Sequence, residues 1–179
     1  GLLDVAATGS VAAHTVTIDA GATLNVDGTF DFTADADTLT VAGTVEGAGS
    51  IDMLDGDDTL TLLDGADLSG LASPIDGGAG NDALIADIAT SSTLGGAAGF
   101  GTLTKDGTGT LHIDGPATSS FGAVDVLVGT LDVGAAASVG GVSATTVAAG
   151  ATLNVDGSYA GSAGDDSFTL TVYLVVVRA

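Results

Sequence analysis

Between Gly101 and Gly134 the chain alternates. Leu103 and Lys105, Leu111 and Ile113, then Val124, Val126 and Val128 running on to Leu131 and Val133, keep to every second position, and glycine closes each run within a few residues. Period-two patterning over so few residues predicts short strands with one face buried, and the glycines supply the turns. No run is long enough to form a sheet by itself. Each must be covered by similar pieces above and below, which is the logic of a solenoid.

The same pattern extends through the rest of the chain. Residues 15–28 give two strands, Val16 with Ile18 and Leu24 with Val26, and the octet Gly-Ala-Thr-Leu-Asn-Val-Asp-Gly at 21–28 returns unchanged at 150–157. That offset divides into six turns of about 21.5 residues, and Asp37-Thr-Leu, Asp58-Thr-Leu and Asp82-Ala-Leu recur at similar steps, as do Leu111, Leu131 and Leu153. Roughly eight rungs then fit in residues 1–179, a single all-β segment about 38 Å long at the usual strand spacing of ~4.8 Å. Helix has little place, since no window holds a 3.6-residue apolar period, and 136–142 reads as a loop or a single turn. Residues 51–90 are more acidic and loop-like, with Ser73-Pro74 breaking any strand there, but they show a change of rung style rather than a domain boundary. Val172 to Val177 is apolar on both faces and needs cover on both sides, from a continuation of the chain or from an end-to-end contact with another copy. Leu2 and Leu3 are expected to be exposed at the other end.

Gly-Thr-Leu at 101–103, Lys105, Gly107, Gly-Thr-Leu at 109–111, Gly115, Phe121-Gly122 and Gly-Thr-Leu at 129–131 resemble the β-strand repeat of bacterial autotransporter passenger domains. The resemblance implies a right-handed parallel β-helix, carried across the outer membrane by a C-terminal β-barrel and displayed at the cell surface or released. No such barrel lies within these residues, and with Gly1 in first place the chain reads as a segment of a longer passenger.

Charge sharpens this picture. Twenty-three acids face two bases, Lys105 and Arg178, for a net charge of −21. Such a surface excludes nucleic acid and anionic membranes as partners, because those ligands need Lys and Arg to displace counterions. No apolar run approaches the length of a membrane helix, so insertion by this segment is not expected. All the acids but Glu46 are Asp, whose short side chain caps nearby backbone N–H groups in turns. Cysteine is absent, so the chain needs no oxidant, and passengers that cross a narrow pore unfolded commonly lack it.

Three motifs carry candidate chemistry. Residues 77–85, Gly-Gly-Ala-Gly-Asn-Asp-Ala-Leu-Ile, resemble the calcium nonapeptide of repeats-in-toxin proteins, with partial copies at 53–61 and 161–169. The resemblance implies calcium, held by turn carbonyls and by Asp58, Asp82 and Asp166. The copies are not in tandem, however, and the alternative is that Gly-x-Asp-Asp makes a rung corner with Asp capping backbone N–H groups. Thr-x-Thr occurs at 15–17, 38–40, 59–61, 102–104, 108–110 and 169–171. Stacked in register such pairs form the flat face of some ice-binding β-helices, but the steps between them are irregular and Thr is a common outward strand residue.

Catalysis, the third, finds little material. His14 and His112 are far apart in sequence, there is no Gly-x-Ser-x-Gly or phosphate-binding loop, and two bases with no Trp suit no polysaccharide. A polysaccharide-acting β-helix enzyme using paired carboxylates stays the rival from another class. The expectation is a non-enzymatic adhesive, self-associating or stalk segment with a protein or glycan surface ligand and no required cofactor. The rival within its class is a calcium-stabilised segment of a secreted adhesin or toxin.

Overall fold

A computed structural model describes residues 1–171; the apolar run 172–177 lies outside the described residues. The alternating runs do form strands, three to a rung. The first rung holds β1 (Leu2–Val5), β2 (Ser10–Ala12) and β3 (Thr15–Ile18); the second β4 (Thr23–Val26), β5 (Thr29–Asp31) and β6 (Thr38–Val41). The third is β7 (Thr44–Gly47), β8 (Ser50–Asp52) and β9 (Thr59–Leu62), and the fourth β10 (Asp67–Leu71), β11 (Ile75–Asp76) and β12 (Ala83–Asp87). The fifth holds β13 (Ser91–Leu94), β14 (Ala97–Ala98) and β15 (Phe100–Asp106). In the sixth, β16 (Thr110–Ile113) is followed by one long strand, β17 (Thr118–Val126), that turns a corner. The seventh is β18 (Thr130–Val133), β19 (Ser138–Val142) and β20 (Ala144–Val147), and the eighth β21 (Thr152–Val155), β22 (Ser158–Gly161) and β23 (Ser167–Leu170).

Every pairing is parallel and joins a strand to its equivalent one rung away, so the fold is a β-solenoid of eight rungs with three faces. The first face runs β1-β4-β7-β10-β13-β16-β18-β21, the second begins β2-β5-β8-β11-β14, and the third begins β3-β6-β9-β12-β15. β17 serves both later faces: Thr118–Ser120 pair with β19, and Ala123–Val126 pair with β15 and β20. The strand break expected at Ser73-Pro74 falls between β10 and β11. Residues 138–142 correct the loop expected there: β19 pairs with β17 and β22 and points Val139 and Val142 inward. Its two glycines, Gly140 and Gly141, hid a strand whose stability comes from the rungs on either side rather than from its own propensity.

One apolar cluster fills the axis, from Val5 and Ile18 through Leu24, Leu39, Leu60, Leu84, Leu103 and Leu111 to Val147. Each such side chain contributes about 1.5–3 kcal/mol on burial. Phe30 and Phe32 meet at 5.5 Å between ring centroids at one corner. On the first face the register slips. Pairing carries Thr23 through Thr44, Asp67, Thr93, His112 and Asp132 to Asn154, two residues past Thr152, its counterpart in the repeated octet. A slip of two leaves the inward set inward, because side chains alternate with a period of two. The irregularity falls in β10, where the pairing shifts between Asp67 and Gly70.

Candidate functional site

The residue that precedes Thr15, and the residue that precedes each of its paired counterparts along the third face, stack into a column over the eight rungs: His14, Asp37, Asp58, Asp82, Gly101, Gly122, Ser143 and Asp166. Three of them, Asp37, Asp58 and Asp82, are buried. Two of them, Asp58 and Asp82, are held by the backbone of the rung before. The Asp37 N–H donates to Asp58 Oδ1 at 2.7 Å, and the Asp58 N–H donates to Asp82 Oδ1 at 2.9 Å. Asp thus caps a neighbouring rung's N–H, which is the corner role weighed for it in the sequence, and does so across rungs.

The second carboxylate oxygen separates the members of the column. Asp37 Oδ2 accepts the N–H of Thr33 at 2.6 Å and its hydroxyl at 3.0 Å. His14 Nδ1 lies against Asp37 Oδ1. Asp166 Oδ1 likewise takes the Ser162 N–H at 3.2 Å and hydroxyl at 2.6 Å, although Asp166 is exposed. The residues four positions before Asp58 and Asp82 are Leu54 and Gly78, which carry no hydroxyl. The Oδ2 atoms of Asp58 and Asp82 accordingly have no hydrogen-bond partner and no exposure. Gly77 lies against the Asp82 carboxyl, where a Cβ would come within 3.3 Å of Oδ2.

An orphaned buried carboxylate oxygen raises the cost of ionisation. Burial pushes Asp58 above the usual carboxylate range against the pull of the Asp37 N–H, and the charges of Asp82, Asp37 and Asp57 add to it. Burial pushes Asp82 the same way against the Asp58 N–H, with Asp57 and Asp76 adding. The arrangement therefore suits a proton on each orphaned oxygen. It fits calcium poorly. That ion takes six to eight oxygens, while the carbonyls of Leu54, Ala79, Asp58 and Asp82 already accept N–H groups from adjoining rungs. Asp58 and Asp82 lie on adjoining rungs and Asp166 four rungs from Asp82, and among the described residues no group of three or more His, Cys, Asp or Glu is placed to share a metal ion. Nor can the buried pair reach a substrate from the surface.

Lys105 holds a role that alternation hinted at and charge concealed. It sits inward on β15, fully buried, and its Nζ donates to the carbonyls of Gly107 at 2.8 Å and Val128 at 3.3 Å. The ammonium thus pins the corner after β15 to the next rung. Burial pulls its pKa down, and the nearby charges of Asp106 and Asp87 oppose that. In the run Leu103-x-Lys105-x-Gly107 the Lys serves this corner. His112 lies on the outward side of the first face, with Nδ1 2.9 Å from Asp132 Oδ2; Asn154 donates to the other Asp132 oxygen, and together they hold that carboxyl below the usual range, Asn154 contributing more. The two histidines stay apart, on different faces.

The Thr-x-Thr pairs converge more than their spacing suggested. Pairing sets Thr15, Thr38 and Thr59 in one column of the third face and Thr17, Thr40 and Thr61 in the next, and Thr102 and Thr104 rejoin the same columns after Ala83 and Ile85. The uneven steps are absorbed at corners: Ala13 and His14 suffice before β3, whereas Phe32 to Asp37 intervene before β6. The pair at 108–110 does not join, because Thr110 lies on the first face.

At the last rung a pocket of about 210 Å³ opens between Val142, Tyr159 and Phe168. The Tyr159 hydroxyl is 2.8 Å from Thr145 Oγ1, an inward polar group it satisfies. Comparison with known proteins gives no matching family model, no matching curated relative and no matching solved structure.

Proposed function

We propose that this chain is a structural, non-enzymatic passenger segment of a bacterial autotransporter, displayed at the cell surface or secreted, where it spaces or adheres. The observation that supports the reading is that, among the described residues, each rung rests only on its neighbours. Strand pairing, corner capping by Asp and the Lys105 pin all join a rung to the next one along. Such a stack folds by addition, so it can assemble as an unfolded chain emerges from a pore, and having no cysteine it carries no disulfide through. The acidic surface keeps it soluble and repels anionic partners, which leaves neutral or cationic protein and glycan surfaces as contacts, and further copies where salt screens their shared charge.

The experiment is to place residues 1–179 between a signal peptide and an autotransporter barrel in a Gram-negative host. The reading expects protease-resistant chain on intact cells, with cell settling or attachment to protein- or glycan-coated surfaces above that of the barrel alone. Retention in the periplasm contradicts the passenger assignment. Display without attachment or settling removes adhesion and leaves the stalk.

A further inference from the structure

We propose that the third face binds ice through its two threonine ladders. Thr15, Thr38 and Thr59 pair without a slip, as do Thr17, Thr40 and Thr61. Their hydroxyls and methyls therefore repeat every ~4.8 Å from rung to rung and every ~6.6 Å along a strand. Both repeats fall in the range of oxygen spacings in hexagonal ice. A β-branched side chain is stiff at χ1, and stacked identical side chains oppose the twist that would spoil a planar array. The face thus offers a preset lattice rather than six independent groups.

Two further observations mark this face out. The first is charge. In a chain of net charge −21, the two columns that hold the ladders carry one acid, Asp125, across all eight rungs, and Asp87 and Asp106 pair at the edge just beyond them. The first face carries Asp4, Glu46, Asp67 and Asp132 at such positions, and the second Asp31, Asp52 and Asp76. Charged groups order water around themselves and break an extended lattice, so an ice plane requires a neutral stripe such as the ladder columns form from the first rung to the fifth. The second is that the hydroxyls are free. The threonine hydroxyls that bond to protein groups are those of Thr33, Thr90, Thr108 and Thr145, all outside the ladders. Among the described residues none of the six ladder hydroxyls has such a partner, so each is open to a bound water. On the first face, by contrast, Asn25 is tied to Asp4 and Asn154 to Asp132. Ala83 and Ile85 interrupt the ladders with neutral groups before Thr102 and Thr104 resume them.

The inference is independent of the export route proposed above, and its failure leaves that reading untouched. It is tested on purified residues 1–179 by the gap between melting and freezing of a single seeded ice crystal, and by uptake of labelled protein into growing polycrystalline ice. We expect the wild-type chain to open such a gap and to enter the ice. Thr40→Tyr, at the centre of the ladders, should at least halve the gap, while Thr44→Tyr, the same change on the first face, should leave it unaltered. Circular dichroism and Tm accompany each variant; if Thr40→Tyr unfolds, Thr17→Tyr in the first rung takes its place. Exclusion of the wild-type chain from ice overturns the proposal, and so does an equal loss in the two faces' variants. A dimer that Thr40→Tyr disrupts, found together with exclusion from ice, assigns the face to a second copy instead.

Discussion

The octet Gly-Ala-Thr-Leu-Asn-Val-Asp-Gly occurs at 21–28 and again at 150–157, and the two copies meet different neighbourhoods. Locally they are the same. Each opens on a glycine in the left-handed region, Gly21 at φ 76° and Gly150 at φ 84°. Each forms a four-residue strand, β4 and β21, and each sends two successive N–H groups to one carbonyl of the rung before, Val5 in one case and Val133 in the other. Even the asparagines agree, Asn25 donating to Asp4 and Asn154 to Asp132. Burial alone differs. Val26 is fully buried between β1 and β7, whereas Val155 is 40% exposed on a strand that pairs only with β18 among the described residues. Local sequence decides strand and turn here, while the core is supplied by the next rung.

The largest effect should come from the core residue the two copies share. Leu24→Ala leaves a cavity sealed by rungs on both sides and should cost about 2–5 kcal/mol. Leu153→Ala removes a half-buried side chain and should cost about 1 kcal/mol. Denaturant melts of both variants check this, and equal costs would mean the eighth rung is sealed as well.

The sealed middle depends on Lys105 in a way no described residue of the eighth rung repeats. Lys105→Met keeps the volume and removes the donor from the Gly107 and Val128 carbonyls. It should cost about 1.5–3 kcal/mol, the range for hydrogen bonds to a charged group, again read from denaturant melts.

The corner column gives the same contrast in carboxylates. Asp58→Asn with Asp82→Asn replaces two buried acids that are costly to ionise while keeping an oxygen for each capped N–H, and should stabilise the chain at neutral pH by about 1–3 kcal/mol. The same change at exposed Asp166 should do nothing. Both buried carboxyls have raised folded pKa values, so the folded state holds these protons more tightly than the unfolded chain. Their stabilising contribution is fully present below the unfolded pKa of about 3.9 and is lost as pH rises through the raised folded values. The double variant should therefore lack that part of the wild-type decline, as melts across the acid range will show. Calcium should leave Tm unchanged in both; a calcium-dependent rise confined to the wild type would give the orphaned oxygens to the ion.

The smallest effect compares two equivalent corners. Leu54 and Gly78 each follow an Asp that accepts their N–H, and both are left-handed, Leu54 at φ 67° and Gly78 at φ 84°. Leucine is strained there, so Leu54→Gly should gain about 0.5–1 kcal/mol after the entropy of the added glycine is counted.

These pairs also show what could be read from the chain beforehand. The rung period was visible because Asp-Thr-Leu and Gly-Ala-Thr-Leu mark equivalent corners, and Asp as a capping residue followed from its side-chain length. Leu2 and Leu3 are exposed as expected. The burial of Lys105 was hidden because a lone cation in an alternating run reads as surface until its carbonyl partners are seen. The orphaned oxygens depend on what stands four residues earlier, a relation that appears only once the corner is built. The threonine ladders were masked by corner lengths, which change the spacing in sequence without changing the register. β19 was missed because Gly140 and Gly141 have no strand preference of their own.

Hydrogen exchange at the two octets tests the account most directly, since both reside in one molecule and share one sequence. If neighbouring rungs supply the stability, peptides covering 21–28 should exchange slowly, near the global unfolding limit, and those covering 150–157 much faster through local opening. Equal protection of the two copies would contradict a stack held together rung by rung.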